Sequence, residues 1–145
     1  MSAAEIHLAV NHLPVLGPPF AAILLTAAMW RRSRELKCAG LLLILGVGLA
    51  APVAYRSGLG AADIVADMAD VPSTVIERHF HAARFALWAS VAAAAAVTVT
   101  LAWMARRGGY SPGAAAVGLV LALVLSVAGA WTAHLGGEIR HSEVR

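Results

Sequence analysis

Charged residues are scarce in this sequence: Asp, Glu, Lys and Arg together make up only 13% of its 145 residues, whereas apolar residues make up 60%. A soluble globular domain has about 25% charged residues, so this composition excludes an ordinary soluble protein. The chain is also too short for two domains, and it has no internal repeat, phosphate-binding loop or dinucleotide-binding motif. The sequence therefore predicts a single domain embedded in the lipid bilayer.

Cysteine is nearly absent, because Cys38 is the single one. This excludes an intramolecular disulfide, and the lack of a Cys-x-x-Cys-His sequence excludes a covalently attached c-type haem. The formal net charge of +3 does not predict nucleic-acid binding, since the basic residues sort by loop instead of forming one continuous surface. Any haem would therefore be b-type and held by side chains alone.

Four long apolar runs dominate the rest of the chain, at residues 13–30, 38–55, 82–104 and 114–133. A helix needs about 17–25 such residues to cross the hydrocarbon layer. We therefore expect an all-α, membrane-spanning four-helix antiparallel bundle in one domain. The segment before the first run carries Glu5 and His7 but no basic n-region, so we do not expect a cleavable signal peptide.

The loops between these runs predict the orientation. Basic residues fill the first loop and begin the third: Arg31, Arg32, Arg34, Lys37, Arg106 and Arg107. The positive-inside rule then places both loops in the cytoplasm and both termini in the periplasm of a bacterial inner membrane protein.

Several local signals predict where helices bend, begin and approach each other. Three prolines near residues 14–19 are expected to kink or restart the first helix. The capping box Thr74-Val-Ile-Glu77 predicts that the third helix begins near Val75 and ends near Arg106. Residues 56–72 predict a short amphipathic segment that lies on the membrane surface or covers the histidines, and the alanines at 92–96 predict close helix packing.

The fourth span carries small residues at helical spacing, including Ser126, Gly129, Ala130, Ala133 and Gly137. Such a stripe is most often a helix-packing face, and the alternative is clearance for a flat cofactor.

All six histidines fall on the periplasmic side of this topology. His12, His81 and His134 adjoin the ends of spans one, three and four, so they are expected to converge at one depth as a deep tier. An outer tier contains His7, His79 and His141. Since His79 points about 200° away from His81, only one of the two can face the interior, and the face shared with Phe85 and Trp88 favours His81.

Charged neighbours complete this candidate site. Glu77 and Glu138 each lie one helical turn from a histidine, where a carboxylate can accept an imidazole N–H. Arg78, Arg84 and Arg140 lie at the same level and could pair with the carboxylates of a bound cofactor.

Three segments carry a resemblance: His7-x4-His12-Leu-Pro14, His81-Ala on the third helix, and Leu135-Gly-Gly-Glu138 followed by His141. With them the chain resembles a widespread bacterial family of small four-helix predicted membrane proteins of unknown function, some fused to cytochrome c domains. The chain differs from that pattern at Leu8, where the family has proline, and in the spacing after Gly-Gly-Glu. The resemblance implies a redox or metal role for the histidines.

The leading hypothesis is a b-type cytochrome with bis-histidine haem, which passes electrons between a quinol or membrane partner and an external acceptor. Its ligands are expected first in the deep tier, next at His141 and His7, and least at His79. Three histidines with a carboxylate also suit copper, zinc or non-haem iron, which is the alternative. The third reading is an accessory subunit of a larger membrane complex, and a redox partner protein or a homo-oligomer stays open.

Overall fold

The computed structural model describes residues 2–66, 71–107 and 111–140. The described residues form five α-helices and no β-strand: α1 (Ala3–Val10), α2 (His12–Arg31), α3 (Arg34–Ala66), α4 (Ser73–Arg107) and α5 (Pro112–Arg140). Four stretches are long and apolar enough to cross a membrane: Ala3–Arg31, Ser73–Arg106, Arg34–Asp63 and Pro112–Ile139. The predicted all-α bundle of a multi-pass membrane protein is thus confirmed, with α1 and α2 sharing one span.

The four long helices form a ring of antiparallel neighbours. Helix α2 packs on α3 and α5, α4 packs on the same two helices, and α1 packs mainly on α3. One end of the bundle therefore collects the beginnings of α1, α2 and α4 and the ends of α3 and α5, and we call it the histidine end. The opposite end, with Arg31, Arg32, Arg34 and Arg106, is the basic end.

Small residues let the helices approach closely. The side chain of Leu25 fills the centre, where a Cβ added to Gly40 would lie 2.7 Å from its Cγ. At the crossing of α3 and α4, a Cβ added to Gly48 would overlap Ala94 and lie 2.7 Å from the carbonyl oxygen of Ser90. Of the residues 92–96 predicted to pack closely, Ala93 and Ala94 are buried, whereas the other three alanines are exposed.

The break in the first span lies before the prolines and not among them. Helix α1 ends at Val10 and α2 begins at His12, because Pro14 has no N–H to donate to the carbonyl of Val10. Pro18 and Pro19 lie inside α2 and leave the carbonyls of Pro14 and Val15 without their intrahelical donors. Gly129 of α5 packs against this stretch, with its added Cβ 3.0 Å from the oxygen of Pro14.

The connection between α3 and α4 is shorter than predicted. Residues 56–66, expected in a loop, continue α3, and α4 begins at Ser73, two residues before the predicted Val75. Residues 67–70 of the proposed amphipathic segment lie outside the described residues, whereas Asp63 belongs to α3. Both helices thus extend past their apolar runs at the histidine end.

The first basic loop is a tight corner. Arg32 ends α2 with a left-handed backbone, φ 49°, and Ser33 caps the next helix by accepting the backbone N–H of Leu36 at 3.1 Å. Arg34 already belongs to α3, and Lys37 is buried in that helix instead of filling the loop.

Candidate functional site

His79 lies on the face of α4 that is directed at α5. Its Nδ1 is 3.1 Å from the backbone oxygen of Thr132, and its side chain is half-buried. Gly136 follows Thr132 by one turn, and a Cβ at this glycine would lie 3.1 Å from the His79 Cε1. Because Gly136 has no side chain, the imidazole of His79 can approach the Thr132 carbonyl.

His7 repeats this arrangement between α1 and α3. Its Nδ1 is 2.8 Å from the backbone oxygen of Ala54, which also accepts the hydroxyl of Ser57 at 3.0 Å. Gly58 follows Ala54 by one turn, and its added Cβ would lie 3.0 Å from the His7 Cε1. Each histidine thus bonds through Nδ1 to a backbone carbonyl beside a glycine, and we call the two the His7–His79 pair.

The two hydrogen bonds fix the tautomer of both imidazoles. A carbonyl oxygen only accepts, so each Nδ1 must carry the proton and each neutral ring keeps its lone pair on Nε2. Within the described parts of the chain, neither Nε2 takes part in a hydrogen bond or ion pair. A backbone carbonyl on the far nitrogen is the usual support of a metal-ligating histidine.

Glu138 forms the charged part of the site, between α4 and α5. Its side chain is only 11% exposed, and its Oε2 is 2.6 Å from the Nη2 of Arg78. Its Oε1 lies 3.4 Å from the Nε2 of His134, one turn before it on α5. The carboxylate is therefore held between an arginine of the neighbouring helix and a histidine of its own.

We predict that this ion pair responds asymmetrically to mutation. Arg78→Ala leaves a carboxylate in a poorly solvated place, which should lower the free energy of unfolding by about 1–2 kcal/mol. Glu138→Gln leaves an arginine whose side chain is 57% exposed, so it should cost less. Thermal unfolding in detergent measures both effects, and the double variant should be more stable than Arg78→Ala alone. Equal and additive losses would contradict the arrangement.

The predicted deep tier does not converge. His12, His81 and His134 are all exposed, and no group of three or more His, Cys, Asp or Glu side chains that could hold a metal occurs in the described residues. His81 faces outward together with Phe85 and Trp88, so the choice of His81 over His79 as the inward residue was wrong.

The remaining predicted site residues lie around these positions. The imidazole of His81 is 3.6 Å from Glu77 and its Nδ1 is 3.4 Å from Arg84, both on its own helix. His141 lies outside the described residues, and Arg140 ends α5.

The sequence also indicated that His79 faces inward, but the aromatic residues Phe85 and Trp88 favoured the face of His81. His79 continues a row of small or buried positions on α4, at Ala83, Ala86, Ser90, Ala93 and Val97. The second indication was a pair of glycines, Gly58 and Gly136, which lie beside His7 and His79 and leave room for the two rings. Of the small-residue stripe on the fourth span, Gly129 packs against α2, whereas Ala130 and Ala133 are exposed.

Comparison with known proteins finds no match: no protein-family profile, no curated protein and no solved structure is significantly similar to the chain. The functional assignment therefore rests on the geometry of the histidine end.

Proposed function

We propose that this protein is a membrane-bound b-type cytochrome that binds haem between the Nε2 atoms of His7 and His79. The observation that carries the proposal is the matched pair of Nδ1–H bonds to the carbonyls of Ala54 and Thr132. In the neutral form of each ring, this bond leaves Nε2 unprotonated and able to ligate, and the two rings come from helices α1 and α4. When bound, haem supplies an iron that carries one electron by cycling between two oxidation states.

Ligand number favours haem over a non-haem metal. A porphyrin provides four nitrogens of its own, so two histidines complete its coordination. Copper, zinc or non-haem iron takes three or four ligands from the protein, and the described residues contain no group of three or more. The His7–His79 pair therefore suits haem better than the alternatives.

Other residues of the histidine end suit the periphery of the cofactor. Arg78 contacts Glu138 through Nη2, and a guanidinium has five N–H donors, so others remain for a haem carboxylate. A Cβ added to Gly137 would meet nothing within 4 Å, which leaves open space on that side of α5.

The proposed orientation has the histidine end in the periplasm and the basic end in the cytoplasm, because of the arginines around Arg31 and Arg106. Electrons would then pass between a quinol or membrane partner and an external acceptor. Single cysteines at the two ends of α4, Ser73→Cys and Arg106→Cys, test this in a Cys38→Ala background. A membrane-impermeant maleimide should label only Ser73→Cys in intact cells, and the reverse pattern would contradict the orientation.

Absorption spectroscopy of the purified protein tests the function itself. We expect a Soret band and, after reduction, a sharp α-band, with the haem extractable by acidic acetone because no covalent link exists. A protein without a Soret band but with stoichiometric copper, zinc or iron would support the non-haem alternative. A protein with neither would support the accessory-subunit reading.

A further inference from the structure

An exposed stripe runs along α5 and ends at His134. At helical spacing it contains the large apolar side chains of Val120, Val124, Val127 and Trp131, all more than half exposed. Apolar side chains on the outer surface of a membrane bundle face lipid. His134 is the next position on this stripe, and its side chain is 61% exposed. It therefore offers a polar group at the border of the lipid-facing surface.

The carboxylate of Glu138, one turn further along α5, lies next to the imidazole of His134. His134 Nε2 lies 3.4 Å from Glu138 Oε1, and the nearby negative charge favours the tautomer with the proton on Nε2, whose Nδ1 is a hydrogen-bond acceptor. Arg78 holds the carboxylate in place at 2.6 Å. The similar pair Glu77 and His81 lacks this support, since the Glu77 side chain is 70% exposed.

The neighbours of His134 define the ligand class. A molecule that reaches this surface through the bilayer must be lipid-soluble, and it needs a hydroxyl to donate to Nδ1. The indole of Trp131, 6.1 Å from the imidazole between ring centroids, provides an apolar surface for a flat ring. Thr132, whose carbonyl holds His79, is two residues from His134 on the same helix.

We infer that His134 and Trp131 bind the head group of a lipid-soluble hydroquinone, with a hydroquinone hydroxyl donating to His134 Nδ1. The choice of a hydroquinone among lipid-soluble hydroxyl compounds rests on the proposed function, because it is the electron donor of a b-type cytochrome. The binding site itself is independent of haem.

Saturation binding in lipid nanodiscs tests the site, with a short-chain ubiquinol and its dimethyl ether as probes and both haem-loaded and haem-free protein. The ether keeps the ring and loses both donors, so wild type should bind it about tenfold more weakly than the quinol. His134→Ala should bind quinol and ether with the same weak affinity, and Trp131→Leu should weaken both. His81→Ala is the matched control and should bind as wild type does.

Equal affinity of wild type for quinol and ether would overturn the inference, even if His134→Ala failed to fold. So would unchanged quinol binding by folded His134→Ala. Selective quinol binding by a protein without a Soret band would uphold the site and reject the cytochrome proposal. A Soret band in a protein that does not prefer quinol to its ether would support the cytochrome proposal and reject the hydroquinone site.

Discussion

Replacing His79 by alanine is expected to abolish the low-spin bis-histidine spectrum and to reduce haem content to a small fraction of wild type. The physical reason is that α4 then offers no inward imidazole, since His81 faces outward. His7→Ala should have the same effect or leave a five-coordinate, high-spin haem. Haem per protein and the reduced α-band measure both results.

His81→Ala and His12→Ala are the matched controls, because both side chains are exposed. They should keep the wild-type spectrum within error. Gly136→Val adds a second test without touching a ligand: its side chain would displace the His79 ring from the Thr132 carbonyl. Loss of haem in His81→Ala with retention in His79→Ala would show that the ligands are assigned to the wrong face.

Two glycines of one helix should respond to alanine with opposite signs. Gly48→Ala introduces a methyl group that overlaps Ala94 at the crossing of α3 and α4, where the Ser90 backbone also lies close. Helix backbones must separate to admit it, so we expect the free energy of unfolding to fall by about 1–3 kcal/mol. A larger residue, such as leucine, should prevent assembly of the bundle.

Gly46→Ala is the control, since a Cβ there meets nothing within 4 Å. Alanine is a better helix former than glycine by about 1 kcal/mol, so this variant should be as stable as wild type or more so. Thermal unfolding in detergent, followed by circular dichroism, measures both variants. A stabilising Gly48→Ala would mean that α3 and α4 do not cross at this position.

The spans were predictable because bilayer thickness fixes the length of an apolar run. The ends of the helices beyond the hydrocarbon layer were not predictable from hydropathy. Residues 56–66 contain Gly58, Gly60 and Asp63, which are poor helix formers, yet α3 continues through them. Helix α1 packs there, with Ala3 2.8 Å from the added Cβ of Gly60, so tertiary contact overrides local preference.

The site was harder to predict because lipid is as apolar as the bundle interior. Phe85 and Trp88 share the face of His81, and in a soluble protein this would indicate the core. Here both are exposed, and the interior of α4 is lined by smaller residues such as Ser90 and Ala93. The presence of histidines at one end could be derived from the sequence, but for their direction the only signal on α4 was the row of small residues that His79 continues.

The hydrogen-bond acceptors chosen for His7 and His79 also determine how the proposed ligands respond to acid. An amide carbonyl carries no proton to gain or lose in the physiological range, so the bonds to Ala54 and Thr132 keep their donor–acceptor sense whatever the pH. A carboxylate acceptor would add a negative charge beside each ring and would fail once protonated. The pair is thus supported by neutral, non-titrating partners, while the charged support of Glu138 is reserved for His134 at the lipid-facing surface.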